Sequence, residues 1–151
     1  MIERTRPADV AGIKDVLEQT DLFPVEMLDD LLGPYFAGEG EAGWLTAHAN
    51  GAPVGFAYYV PETVTQGAWN VLALAVRPDH QRAGVGSRLM SHVERLLRDS
   101  GQRLLLVETS GLPEFASARS FYRREGYEEV ARVPEYYAAD DDKIIFAKRL
   151  T

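Results

Sequence analysis

Residues 74–89 read Leu-Ala-Val-Arg-Pro-Asp-His-Gln-Arg-Ala-Gly-Val-Gly-Ser-Arg-Leu, and the rest of the chain is best read outward from them. An apolar run from Trp69 to Val76 ends in a turn that carries Pro78, and Gly84 and Gly86 then open an amphipathic helix. Two glycines at that place let the backbone come close to a ligand. The unpaired N–H groups and positive dipole end of the helix favour an anion there. Arg82 and Arg88 add positive charge, and residues 80–93 hold no acid in a chain that has 23. Other phosphate motifs fit poorly. A dinucleotide fingerprint needs a third glycine where Leu89 stands, and a Walker loop needs Gly-Lys-Ser/Thr. The plain alternative is that the glycines only make a tight strand-to-helix turn, and spacing alone leaves both readings open.

Upstream, Ile2 to Thr5 is a short strand candidate, and Pro7 sets the start of a helix running to about Gln19 with Val10, Ile13 and Leu17 at helical spacing. A second helical stretch follows Pro24, with Gly33-Pro34 expected to interrupt it. Residues 37–43 read as a loop. Trp44 to Ala49 and Val54 to Val60 are strand-like and joined through Asn50-Gly51, the pair that supplies the positive φ angles of a type I′ hairpin turn. Trp69 to Val76, apolar almost throughout, reads as a central strand. Downstream, the helix from 84 to about 100 buries Val85, Leu89, Val93 and Leu96, with Arg88, Glu94, Arg95 and Arg98 off that face, and Gly101 closes it. Leu104 to Thr109 is a buried strand. Pro113 opens a helix to about Glu125, and Tyr127 to Val133 and Ile144 to Leu150 are the last strands. The order β-α-α-β-β-β-α-β-α-β-β predicts one α+β domain over residues 1–151 with a mostly antiparallel sheet.

Composition removes several function classes. The chain has 151 residues, long enough to bury a core without staples. It has no cysteine, which excludes a disulfide scaffold, a thiolate zinc site and a cysteine nucleophile. No His/Asp/Glu cluster has metal-ligand spacing. The longest apolar run, Val71 to Val76, is far short of a membrane span, and the N-terminal residues show no apolar signal region. Twenty-three acids against 16 bases give a net charge of −7, which argues against a nucleic-acid partner and favours cationic ones. A cytoplasmic location is expected.

The central stretch resembles motif A of the GCN5-related N-acetyltransferases, whose loop reads Gln/Arg-x-x-Gly-x-Gly/Ala. Gln81-Arg-Ala-Gly84-Val-Gly86 matches it, behind the lead-in Leu74-x-Val76-x-Pro78. The Asn-Gly hairpin followed by Val54-Gly55, the segment Ala118-Arg-Ser-Phe-Tyr-Arg-Arg-Glu-Gly-Tyr127 and the element order extend the likeness over most of the chain. The resemblance implies a mixed, mostly antiparallel twisted sheet with helices on both faces and strands 4 and 5 splayed apart. It also implies acetyl-CoA as acyl donor, with no metal. Backbone groups of Gln81, Arg82, Ala83, Gly84, Val85, Gly86 and Ser87 would hold the pyrophosphate. Main-chain groups around Leu74, Ala75 and Val76 would pair with the pantetheine arm, and the Val76 N–H is the candidate donor to the thioester carbonyl.

Tyr122 corresponds to the family tyrosine near the CoA sulfur, and a phenol of normal pKa about 10 can protonate a thiolate while staying neutral at pH 7. Core packing beside Phe115, Ala118 and Phe121 is its plain alternative. Some family members carry a glutamate base on strand 4, but Asn70 stands there. Glu108, just beyond Leu104 to Val107, is then the candidate base, against a solvated strand end or an arginine partner. His48 is expected on the surface, His92 solvated, and His80 near the cofactor. Many members have an asparagine seven residues before the tyrosine, where this chain has Phe115, and the Thr109–Glu114 connection is longer.

The expected acceptor is a primary amine on a small molecule or a peptide. Pro134 to Lys143, with Tyr136, Tyr137 and Asp140, Asp141, Asp142, could form an amphipathic mouth for a cationic amine or a solvated acidic loop. The Tyr-Tyr pair also resembles the branch that acetylates protein N-termini, including that of a ribosomal protein. A non-catalytic acyl-CoA-binding module is a further alternative. A homodimer is compatible with such folds, though no exposed apolar stripe demands it.

Overall fold

In the computed structural model, which describes all of Met1–Thr151, Asn50 and Gly51 have φ of 54° and 79°. Both central residues of the turn are therefore left-handed, as a type I′ hairpin requires. They join β2 (Gly43–Ala49) to β3 (Ala52–Pro61), and β4 (Ala68–Val76) continues the antiparallel meander. β1 (Ile2–Arg4) lies on the outer side of β2. After the helical crossover α3 (Val85–Asp99), β5 (Leu104–Ser110) pairs parallel to β4. β6 (Glu128–Ala138) and β7 (Asp141–Arg149) complete a seven-stranded sheet in the order β1-β2-β3-β4-β5-β7-β6. This is the α+β architecture that the element order predicts.

Alternation along the strands sorts side chains onto two faces. On one, α3 and α4 (Ala116–Arg124) bury a core that includes Leu45, Ala57, Val71, Val76, Leu89, Val93, Leu105, Val107, Tyr122 and Phe146. On the other, α1 (Val10–Thr20) and α2 (Leu28–Phe36) cover a smaller core of Ile13, Leu17, Leu32, Trp44, Phe56, Ala73 and Ala75. α1 packs on β3 and β4, so this face of β5, β7 and β6 is left open.

Two irregularities shape the centre. Opposite Tyr58 and Tyr59 the register of β4 jumps from Ala73 to Val71, so Leu72 is an extra, bulged residue, and it is exposed. The bulge reverses the parity of β4: Val71 faces the larger core, while Ala73 and Ala75 face the smaller one. Just past it the strands part, since β4 and β5 pair only from Ala68↔Leu104 to Val71↔Val107. The expected splay is present.

Several expectations need correction. Gly33-Pro34 does not interrupt α2, which runs through Pro34 to Phe36 because Leu28 and Leu32 are anchored in the core. The proline removes one backbone bond, and the helix ends two residues later. Residues 134–143 are not a free connection. β6 and β7 form a hairpin turning at Ala139-Asp140, with ladder pairs at Val133↔Lys143 and again at Ala138↔Asp141, so residues 134–137 bulge out around Glu135 at φ 52°. Glu94, which the sequence pattern puts off the apolar face of α3, is nevertheless buried. It is 6% exposed, accepts a hydrogen bond from the Tyr127 hydroxyl at 2.7 Å, and pairs with Lys148 at 3.0 Å, pinning α3 to β7. Leu96, by contrast, is exposed.

Candidate active site

After β4, Pro78–Ala83 wind a 3-10 turn, and Gly84, at φ 78° and ψ 13°, reverses the chain into α3. Only glycine takes that left-handed conformation without a steric penalty. Arg88 braces the turn, donating from its side chain to Ala83 O at 3.0 Å, and Gln81 Nε2 donates to Val76 O at 3.0 Å. Val85, Gly86 and Ser87 form the first turn of α3, and no protein acceptor takes their N–H groups. They are unpaired donors at the positive end of a 15-residue helix, with Arg82 and Arg88 beside them. That cradle suits a pyrophosphate. Gly86 also seats the loop on α4, for a Cβ there would stand 3.3 Å from the Phe121 ring. Within the 3-10 turn, Gln81, Arg82 and Ala83 contribute shape and charge rather than a run of free donors.

The gap between β4 and β5 is lined by backbone. Arg77 N–H donates to Val54 O at 2.7 Å. N–H groups alternate sides along an antiparallel ladder, so those of Ala73 and Ala75 turn toward β3, while those of Leu74 and Val76 face the gap. The bulge lies at Leu72, so the facing N–H nearest to it is that of Leu74, one pair earlier than the Val76 expected from sequence.

On the α3/α4 face of the sheet stands Tyr122, 7% exposed and packed edge-on or tilted against Phe121, Tyr127 and Phe146 at 5.3, 6.1 and 5.9 Å. Burial raises its pKa, so the phenol stays protonated. Its hydroxyl makes no hydrogen bond within the protein, yet it is not among the sealed, unpartnered polar atoms and keeps contact with solvent.

Glu108 occupies the opposite face, at the first position of β5 beyond its pairing with β4. It is neither a solvated strand end nor an arginine partner. Its Oε1 is 2.8 Å from Lys143 Nζ of β7, and its Oε2 accepts from Asn70 Nδ2 at 2.8 Å. Burial alone would push the Lys143 ammonium down, but the Glu108 carboxylate holds it above its usual value. Asn70 Nδ2 also donates to Glu62 Oε1 at 2.9 Å. The bulge of β6 closes over this cluster. Lys143 lies 3.9 Å from the Tyr136 ring centroid, Ser110 donates to Asp141, and burial with the nearby Glu108 charge raises the Tyr137 pKa. Glu62 was not anticipated from sequence. The register of the β3–β4 hairpin, which sets Pro61 against Trp69, is the signal that could have found it.

The histidines lie apart from this centre. His48 is not a free surface residue, for its Nε2 meets Asp9 Oδ1 at 2.8 Å and ties the start of α1 to β2. His80 pairs with Asp79 in the 3-10 turn. His92 is half-buried with Arg95 beside it, and burial lowers its pKa. Phe115 is exposed at the start of α4. No group of three or more His, Cys, Asp or Glu is arranged to hold a metal ion, and no helix is long and apolar enough to cross a membrane.

Comparison with known proteins bears on this geometry. No curated protein sequence matches the chain. A protein of the GNAT family from Desulfovibrio desulfuricans is similar in structure, with a TM-score of 0.93 at 30% identity, over 100% of this chain and 99% of that one. An aminoglycoside 6′-N-acetyltransferase solved with coenzyme A superposes with a TM-score of 0.83 at 18% identity, over 100% and 97% of the two chains. A ribosomal-protein-alanine N-acetyltransferase from Escherichia coli gives 0.80 at 23%, over 100% and 94%. The last two likenesses are of fold. The model of the acetyltransferase (GNAT) domain matches residues 40–129, which span the meander, the glycine turn and the tyrosine helix, and the chain belongs to that family of acetyltransferases.

Proposed function

We propose that this chain transfers an acetyl group from acetyl-CoA directly to a primary amine. The observation that carries the reading is the gap between β4 and β5, with a free phenol on one face and a held carboxylate on the other. Acetyl-CoA supplies the activated thioester. The Val85, Gly86 and Ser87 N–H groups bind its pyrophosphate, with Gln81, Arg82, Ala83 and Gly84 shaping the turn. The strand from Leu74 through Ala75 to Val76 offers its N–H groups to the pantetheine arm. The Leu74 N–H, first beyond the bulge, donates to the acyl oxygen as negative charge develops there. Glu108 takes a proton from the incoming ammonium, directly or through water, so that the nitrogen can attack. As the new C–N bond forms and the C–S bond breaks, Tyr122 gives its proton to the leaving sulfur, and the second proton that the nitrogen sheds in becoming an amide passes through water to restore the phenol. The acceptor approaches over the open face of β5, β7 and β6.

Release of free CoA thiol from acetyl-CoA, measured across polyamines, amino acids, aminoglycosides and short peptides, tests the reading. Release should depend on one amine class, and Tyr122→Phe should lower kcat about a hundredfold while leaving acetyl-CoA affinity unchanged. Tight acetyl-CoA binding with no turnover for any amine would instead indicate a binding module. The bulged Tyr136-Tyr137 pair over Glu108 favours a peptide N-terminus as the second acceptor to try, in line with a ribosomal-protein type of enzyme.

A further inference from the structure

The cradle at the start of α3 has a carboxylate at its edge. Ser87, whose N–H is one of the three unpaired donors there, turns its hydroxyl to Glu125, with Oγ 2.9 and 3.0 Å from the two carboxylate oxygens. Glu125 is half-buried at the C-terminal end of α4, and Lys148 Nζ donates to its main-chain oxygen at 2.8 Å. Its carboxylate has no cation within ion-pair distance. Lys148 is spent on Glu94 at 3.0 Å and Arg123 on Glu129 at 3.4 Å, while Arg88 turns back to Ala83 O. Glu125 is therefore an anion without a counter-charge, held by one hydroxyl beside the positive end of α3. Those are the groups that draw a phosphate to the same turn.

Resting on the acetyl-CoA reading, we infer that Glu125 is an internal competitor of the pyrophosphate, a residue that loosens the hold on CoA and its thioesters. Two effects add. The Ser87 hydroxyl has one hydrogen, so a phosphate oxygen gains it only when Glu125 gives it up. The carboxylate and the diphosphate also repel each other across a partly desolvated space, where charges interact more strongly than in bulk water. Both effects act on the nucleotide end of the donor alone, so a thioester that ends before the pyrophosphate does not feel them. A product held less tightly leaves sooner, which clears the turn for the next donor. The competing account is a brace. The same bond ties the cradle to the helix that carries Tyr122, three residues before Glu125, and a brace that is cut loosens the cradle and weakens binding.

The test is Glu125→Gln, which keeps the shape and an oxygen for Ser87 and removes only the charge. Wild type and variant are titrated calorimetrically with acetyl-CoA, with CoA and with S-acetylpantetheine, which lacks the pyrophosphate. The variant should bind acetyl-CoA and CoA about fivefold more tightly, with no gain for S-acetylpantetheine. Its melting temperature without ligand should fall by about 1–3 °C, because a carboxylate favoured at a helix N-terminus is lost. Affinity up with stability down is a pair of signs that a brace does not produce. Unchanged or weaker acetyl-CoA binding in Glu125→Gln, or an equal gain for S-acetylpantetheine, would overturn the competitor. Because binding is read without turnover, failure to acetylate any amine leaves the result standing. Acetyl-CoA binding by neither chain would sink the donor reading and the competitor together, whereas equal binding by both sinks the competitor alone.

Discussion

The two sides of the gap between β4 and β5 are built from different materials. On the α3/α4 side the polar groups are mostly main-chain N–H groups, those of Val85, Gly86 and Ser87 on the helix and of Leu74 and Val76 on the strand, with the Tyr122 phenol among the side chains beside them. On the open side they are side chains: Glu62, Asn70, Glu108, Lys143 and the two tyrosines of the β6 bulge. Backbone donors are placed by the fold itself, so any sequence that keeps the turn keeps the site. Side-chain donors can be exchanged one at a time without touching the fold. A donor held in common and an acceptor that differs between relatives is the division of labour this construction allows.

Glu108→Gln probes the side-chain half most strongly. It should lower kcat about a hundredfold for every acceptor and leave calorimetric acetyl-CoA binding unchanged. A matching loss of acetyl-CoA affinity would break the separation of the two sides. On the backbone half, Gly84→Val forces a β-branched residue to φ 78°, at a cost of about 1–2 kcal/mol. Acetyl-CoA affinity should fall about tenfold, whereas Arg82→Ala should change it by less than about threefold; the reverse order would mean that side-chain charge, not the turn, holds the anion.

The smallest effect belongs to a region outside both halves. Burial pushes the Asp9 carboxyl up, but the Arg6 N–H, the His48 ring and the Arg6 charge outweigh it, and the net pKa lies below 3.8. The ionised form is therefore favoured by folding. Its contribution is full above the unfolded value near 3.8 and is lost as pH falls through the lower folded value. Asp9→Asn should cost about 1 kcal/mol at neutral pH and flatten the acid limb of a melting-temperature profile, with acetyl-CoA affinity and kcat untouched.

What could be read from the sequence was local in origin. Asn50-Gly51 and Gly84 each demand a positive φ within one or two residues, and their turns are where the sequence places them. The resemblance implies a bulge at the splay, but its place at Leu72 was hidden because Val71 to Val76 is apolar throughout, so no alternation marks a change of parity. The burial of Glu94 is not legible in the helix pattern because it depends on Tyr127 and Lys148, 33 and 54 residues away. Glu62 escaped for the same reason, since nothing near it in sequence reveals that an amide eight residues on bridges it to β5. In the sequence the strand ends at Val133 and a connection begins at Pro134, yet past the left-handed Glu135 the ladder resumes at Ala138.

That resumption has a consequence for how the molecule can change. Because pairing closes again at Ala138↔Asp141, the residues from Pro134 to Tyr137 are held at both ends and keep no register of their own. Their number can grow or shrink while Ile144 and Phe146 stay in step with β5. The β6 bulge is in this sense a removable cassette on a fixed frame, free to be resized by insertion or deletion where most strands would slip out of phase.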